Sequence, residues 1–220
     1  MIATEEKETL RDAITGFRED ILRDSLFNSI YSVRQPGWFF HASKDHSDIN
    51  LKMVEFLRKM EGFRYYAVVG RKIPEIFHAK HNGSQVEFYF DLISKLLNLV
   101  DLDPGPQYFL YLSQRQSSTV QRFVTAFEKA VEAQSKQHGG IDYRCSILRS
   151  RDSPEMSIVD YLTWALQRYI LKGENEKRYF LALEHHYHAI WDIYENEGQG
   201  RKYTQKDKFD LVKASSFGGK

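Results

Sequence analysis

The segment from His41 to His46 carries the side chains best suited to chemistry in this sequence. His41 can act as a general acid or base, and Asp45 can offer carboxylate oxygens to a divalent cation. The segment follows an aromatic stretch that predicts a strand, and ligands of open α/β sheets bind beyond the carboxyl ends of strands. We therefore predict that His41 and Asp45 are catalytic and that Asp45 is a metal ligand. The alternative is a solvated loop in which Asp45 or Ser47 caps the next helix.

A pair of cations forms a second candidate site. Arg71 and Lys72 follow the most apolar predicted strand, and cations at a strand end can pair with phosphate oxygens. Lys72 is favoured because the end of the strand restricts the direction of its side chain. We predict that both residues bind substrate, and the alternative is a surface pair without a role.

An acid on a predicted amphipathic helix forms a third candidate. Asp160 is flanked by Val159 and Leu162, and a carboxylate near an apolar face is costly unless it is paired or binds a cation. It can equally lie on the polar stripe of the helix, so the residues alone leave its role open. A histidine cluster further along, His185, His186 and His188, is more typical of satisfied or exposed histidines than of a metal site.

Composition limits the classes of function. The chain has 220 residues, 42% of them hydrophobic, and a formal net charge of +1, so its overall charge does not indicate a nucleic-acid partner. No apolar run could span a membrane and no leader is evident. The single cysteine, Cys145, excludes an internal disulfide and predicts a cytoplasmic location. Phosphate-binding loops, serine elbows, paired-cysteine sites and metalloprotease helices are absent as motifs.

The predicted elements must position these side chains. Their alternation predicts an α/β fold with a mainly parallel or mixed sheet flanked by helices. We predict one domain over 1–195 and a polar, flexible tail over 196–220. The predicted helices span about 5–24, 48–60, 84–100, 120–138, 154–173 and 177–194, and the predicted strands span about 38–42, 63–69, 108–112 and 141–147. The segment 73–83 is predicted to be a loop or an irregular crossing.

Several segments, taken in order, form a pattern that covers most of residues 5–195. They are Phe40–Asp45, Phe63–Val69 leading into Arg71 and Lys72, Tyr111–Arg115, Asp152–Ser153, Met156–Arg168, Lys172–Glu174 and Arg178–Tyr179. In order and spacing, these segments resemble the domain of unknown function 3800 family. The resemblance implies a ribonuclease-H-like α/β fold and a metal-dependent, nuclease-like phosphodiester hydrolase that uses Mg²⁺ or Mn²⁺.

The resemblance also implies roles for individual residues. Asp160 stands at the acid of the family's late Gln-x-x-Asp helix, which makes it a catalytic residue and a metal ligand. Ser157 replaces the glutamine of that motif and, with Arg115, would bind the substrate, a nucleic acid. Two-metal chemistry needs several carboxylates, because they must hold two cations close together.

The sequence departs from the family pattern at its start. The family's N-terminal strand with Asp-Glu has no counterpart, and Met1–Thr4 aligns with the end of a later strand. Phe39 stands where some relatives carry an acid. Three hypotheses therefore remain. The chain is a metal-dependent hydrolase, a catalytically inactive or truncated member that acts as a binding or interaction module, or a truncated product without an independent role. Formation of a homo-oligomer stays open.

Overall fold

The computed structural model of the chain describes residues 1–70, 73–100, 102, 105–113, 117–138, 140–148, 153–195 and 199–214. Three predicted substrate-binding residues, Arg71, Lys72 and Arg115, lie outside these residues. The elements are, in chain order, β1 (Ile2–Ala3), α1 (Lys7–Arg23), α2 (Ser25–Asn28), α3 (Ser47–Leu57), β2 (Arg64–Val69), α4 (Pro74–His81), α5 (Gln85–Val100), β3 (Gln107–Ser113), α6 (Ser117–His138), β4 (Asp142–Leu148), α7 (Met156–Lys172), α8 (Lys177–Leu183), β5 (Tyr187–Asp192) and β6 (Arg201–Thr204).

The chain divides into two compact units, where the sequence predicts one domain over 1–195. Unit A consists of residues 2–65 and 149–187, and unit B consists of residue 1 together with 66–148 and 188–220. Strands β2 and β5 each begin in unit A and continue into unit B. All the described candidate site residues discussed below belong to unit A.

The fold is mixed α/β, with a mixed sheet flanked by helices, as predicted. One sheet has the strand order β1–β2–β5–β6, in which β1 is antiparallel to β2 and β5 is antiparallel to β6. The second sheet is the parallel pair β3 and β4, with Tyr108 opposite Tyr143. Antiparallel neighbours can be joined by short connections, whereas the parallel pair needs the crossover helix α6 between its strands.

The helices of unit A form where apolar residues recur at helical spacing. In α1, Leu10, Ile14 and Ile21 are buried on one face, and in α3 the buried residues include Met53 and Leu57. Helix α7 is buried over most of its length. It ends at Gly173, whose φ of +62° is a backbone conformation that residues with a Cβ rarely adopt.

Unit B has its own apolar core. Helices α5 and α6 pack against β3 and β4 through side chains that include Leu97, Phe127 and Val131. Tyr143 of β4 packs against this core, but Cys145 is exposed, so the buried face predicted for that strand forms only in part. The segment 73–83, predicted as a loop, contains α4, which begins with a proline at its first turn.

The strand predicted over 38–42 is wrong. These residues are irregular: the N–H of Trp38 donates to the carbonyl of Gln35, and the N–H groups of His41 and Ala42 bind side chains instead of a neighbouring strand. The N–H of His41 donates to Asp45 Oδ2 at 2.7 Å, and the N–H of Ala42 donates to Asp160 Oδ2 at 2.8 Å. Two carboxylates therefore satisfy the donors that a sheet would have needed.

The last predicted helix, over 177–194, is correct only in its first part. Helix α8 ends at Leu183, and β5 occupies 187–192. The polar segment predicted to be a flexible tail contains β6, in which Tyr203 pairs with Ile190. Tyr203 and Phe209 are buried and pack edge to face with ring centroids 5.1 Å apart.

Candidate functional site

The side chains of His41 and Asp160 meet in unit A. Asp160 lies one turn into α7, and its Oδ2 is 3.4 Å from Nδ1 of His41. The same oxygen accepts the backbone N–H of Ala42, which holds the carboxylate against the loop. The side chains of His41 and Asp160 are 34% and 42% exposed, so both remain open to a ligand. Two residues separated by more than a hundred positions thus form one pair.

His41 and Asp160 each have one further polar atom that could contact a ligand. Among the residues that the structure describes, neither Oδ1 of Asp160 nor Nε2 of His41 has a hydrogen-bond partner. The Oγ of Ser43 lies 3.3 Å from Nδ1 of His41, on the same side of the ring as Asp160. Nδ1 therefore faces a carboxylate oxygen and a hydroxyl. A proton on Nδ1 would suit both neighbours and would leave Nε2 as the ring nitrogen that accepts a proton.

Asp45 lies in the same loop, but its oxygens are already engaged. Oδ1 accepts the indole N–H of Trp38 at 3.1 Å, while Oδ2 accepts the N–H of His41 and contacts the Tyr161 hydroxyl, each at 2.7 Å. Burial raises the pKa of Asp45 above its usual value, against the opposing effect of these hydrogen bonds. Its predicted role as a metal ligand fits these contacts poorly, and we assign Asp45 a positioning role.

Tyr161 and Asn50 complete a buried network that the sequence analysis did not identify. The Tyr161 hydroxyl lies 2.7 Å from Asp45 Oδ2 and 2.8 Å from Asn50 Oδ1. The Asn50 amide nitrogen donates to the carbonyl of Ala42 at 3.1 Å, which turns Oδ1 towards the tyrosine. Asn50 is 7% exposed, and a polar residue on the apolar face of α3 is the signal that could have revealed it.

This network has too few protons when Asp45 is ionised. A hydroxyl carries one proton, so Tyr161 cannot donate to both of its acceptors. If Asp45 is protonated, it can donate to Tyr161, which then donates to Asn50, and every contact is satisfied. Burial raises the pKa of Tyr161, and so does the charge of Asp160, so the Tyr161 hydroxyl keeps its proton. The raised pKa of Asp45 agrees with this arrangement.

Glu155 fixes the start of α7 and was also not predicted. Its carboxylate is buried, accepts a hydrogen bond from Ser153 at 2.7 Å, and pairs with Arg11 of α1 at 3.2 Å. Burial raises the pKa of Glu155, but the hydrogen bonds from Ser153 and Arg11 outweigh it and hold the pKa below its usual value. The charged group therefore anchors α1 to the end of α7 that carries Asp160.

The other predicted residues are less favourably placed. Ser157 is 5% exposed, three residues before Asp160 on the same helix, so little of it is open to a substrate. In the histidine cluster, His186 is buried, its Nε2 lies 2.8 Å from the carbonyl of Leu57, and its ring stacks on Phe63. Burial lowers the pKa of His186 to about 4, as suits a satisfied, neutral core histidine.

A cation would find one suitable carboxylate here. Within the described residues, no group of three or more His, Cys, Asp or Glu side chains is placed to hold a metal ion. Asp160, with one oxygen free of described partners, fits a Mg²⁺ that takes its remaining ligands from water and substrate phosphates. The several carboxylates of a two-cation site are not gathered around it in the described part of the chain.

Comparisons with known proteins were made for the whole chain. No family model, no curated protein and no solved structure matches it. No helix in the described part of the chain is both long and apolar enough to cross a membrane.

Proposed function

We propose that this chain is a nuclease-like phosphodiester hydrolase whose chemical centre is the pair His41 and Asp160. The observation that carries the proposal is the geometry of this pair, in which Oδ2 of Asp160 faces Nδ1 of His41 at 3.4 Å. A carboxylate beside one nitrogen of an imidazole, with the other ring nitrogen free of described hydrogen-bond partners, is an arrangement suited to general acid–base catalysis. The phosphodiester substrate and the ribonuclease-H-like fold rest on the resemblance to the domain of unknown function 3800 family.

The residues have separate roles in this proposal. His41 accepts a proton from the attacking water at Nε2, and Asp160 stabilises the imidazolium that forms. The N–H of Ala42 keeps Asp160 in place, and Asp45 fixes the backbone of His41. A bound Mg²⁺ or Mn²⁺ would supply charge stabilisation at the phosphate, with Oδ1 of Asp160 as its protein ligand. Arg71, Lys72 and Arg115 remain proposed substrate-binding residues, of which Arg71 and Lys72 would pair with phosphate, and the single cysteine supports a cytoplasmic location.

Hydrolysis assays test this proposal directly. The purified chain is incubated with Mg²⁺ or Mn²⁺ and mixed RNA and DNA, and the products are separated by size. We expect cleavage by the wild type and a loss of about 10²-fold or more in Asp160→Asn, because the imidazolium loses its counterion. Asp20→Asn, an exposed acid on α1, is the matched control and should retain full activity. Activity that is indifferent to Asp160→Asn would contradict the assignment.

A binding module without catalytic activity is the second candidate. The observation that favours it is the commitment of both Asp45 oxygens to Trp38, His41 and Tyr161, which leaves Asp160 as the one acid available at the described site. This candidate predicts no cleavage and no rise in melting temperature with Mn²⁺. A rise in melting temperature with Mn²⁺ that disappears in Asp160→Asn would favour the hydrolase instead.

A further inference from the structure

A cleft of about 550 Å³ lies in unit A between the segment around α2 and the loop that leads into α3. Its volume falls in the range of roughly 300–1,000 Å³ that is common for ligand sites. Phe27 is 5% exposed and forms part of the floor of the cleft. Tyr31 is 79% exposed and lies at the rim, where the cleft opens to solvent. The remaining lining residues are Leu26, Ser29, Ile30, Ser32, Lys44, His46 and Asp48.

Tyr31 presents an aromatic face that nothing in the described part of the chain covers. Its ring contacts no other described ring, and its hydroxyl has no described hydrogen-bond partner. The backbone beneath it is held in place, because Arg34 donates to the carbonyl of Asn28 at 2.7 Å and Gln35 donates to the carbonyl of Tyr31 at 3.3 Å. An exposed ring on a fixed turn is suited to stacking against a nucleic-acid base.

Lys44 brings a positive charge to the same cleft. Its ammonium group forms no ion pair with any described carboxylate. Asp48, the acid in the lining, lies 3.5 Å from Nδ1 of His46, so its negative charge is directed at that ring. Lys44 also belongs to the turn of His41, because its N–H donates to the carbonyl of His41 at 2.9 Å. A phosphate bound by Lys44 would therefore lie on the loop that carries the catalytic histidine.

We propose that this cleft binds single-stranded nucleic acid, with a base stacked on Tyr31 and a backbone phosphate paired with Lys44. A single strand is required because the bases of a duplex are already stacked on each other. The open rim lets a chain enter and leave, as a polymer needs. The further statement, that the bound strand continues to His41 and Asp160, rests on the proposed function. A free mononucleotide offers the same chemistry, and the experiment separates the two.

Fluorescence anisotropy with the full chain tests the proposal. The probe is a fluorescein-labelled single-stranded DNA of about ten nucleotides, within the length that such sites cover, measured in EDTA so that it stays intact. We expect Tyr31→Ala to weaken binding about tenfold and Tyr31→Phe to leave it unchanged, because stacking needs the ring and not the hydroxyl. Lys44→Gln should weaken binding and flatten its salt dependence, whereas Lys52→Gln, an exposed lysine on α3, should do neither.

Several outcomes would overturn the proposal. These are an absence of binding by the wild type, equal affinity for the same sequence as a duplex, equal losses in Lys44→Gln and Lys52→Gln, or full competition by a mononucleotide at equal nucleotide concentration. The variants change exposed side chains, and unchanged melting temperatures would verify that they fold. Binding that depends on Tyr31 without any cleavage would reject the proposed hydrolase and retain the cleft. Cleavage with a KM that does not change in Tyr31→Ala would reject the cleft and retain the proposed hydrolase.

Discussion

The carboxyl group of Asp45 decides which acid of the loop is available for chemistry. It receives hydrogen bonds from Trp38 and His41 and contacts Tyr161, so both oxygens are engaged. Asp160 uses one oxygen and keeps the other open. Sequence reasoning identified both acids but could not rank them, because the partners of Asp45 include a tyrosine 116 positions away. The ranking depends on tertiary contacts.

Substitution of Asp45 tests its positioning role. In Asp45→Asn, an amide NH₂ group replaces one of the two carboxylate oxygens. Either the N–H of His41 or the indole N–H of Trp38 then loses its acceptor and faces another donor. We expect the free energy of unfolding to fall by about 1–3 kcal/mol, the usual cost of a buried donor without an acceptor. Urea denaturation of the wild type and the variant measures this difference. No loss of stability would contradict the positioning role.

The wild type and Asp45→Asn also test whether the Asp45 carboxyl carries a proton in the folded protein. Because its pKa is raised in the folded state, the folded protein binds this proton more tightly than the unfolded chain does. The stabilisation is complete below the unfolded pKa of about 3.9 and is lost as the pH rises through the folded pKa. We therefore expect the stability advantage of the wild type over Asp45→Asn to shrink as the pH increases from about 4. An advantage that grows with pH would show that the folded state favours the carboxylate.

Helix α7 is the element that brings the site together. Its N-terminal end is anchored through Glu155 to Arg11 of α1, its next turn carries Asp160 and Tyr161, and its C-terminal end stops at Gly173. The sequence predicted this helix well, because its apolar spacing and terminal glycine are local signals. The irregular segment 38–42 was not predictable in the same way, because its backbone donors bind Asp45 and the distant Asp160.

Two glycine substitutions test how α7 ends. Gly173 has φ +62° and ψ −143°, a conformation nearly confined to glycine, while nothing lies within 4 Å of the position that a Cβ would occupy there. Gly173→Ala should therefore lower the free energy of unfolding by about 1–3 kcal/mol through backbone strain alone. Gly16→Ala is the matched control, since this glycine lies inside α1 with equal space around it, and it should stabilise by about 0.5–1 kcal/mol. Equal effects in thermal melts would contradict this account of the helix end.

At the scale of the whole molecule, the long helices with strong apolar periodicity were predicted, whereas the short helix α4 and the strands that depend on distant partners were not. The five long helices and the strands β2, β3 and β4 were expected from periodicity, and their mixed α/β arrangement is confirmed. Strands β5 and β6 were missed, because their pairing depends on contacts such as Ile190 with Tyr203. No linker in the sequence marks the division into two compact units, and each unit combines distant segments of the chain.

The proposed hydrolase depends most on His41 and Asp160 acting as one unit, and a double-mutant cycle on kcat/KM measures this directly. Hydrolysis of a single-stranded oligonucleotide is followed for the wild type, His41→Gln, Asp160→Asn and the double variant. Residues that act together give non-additive losses, so we expect each single variant to lose about 10²–10⁴-fold and the double variant to lose little more. Losses that multiply in the double variant, or single variants as active as the wild type, would contradict the assignment of this pair.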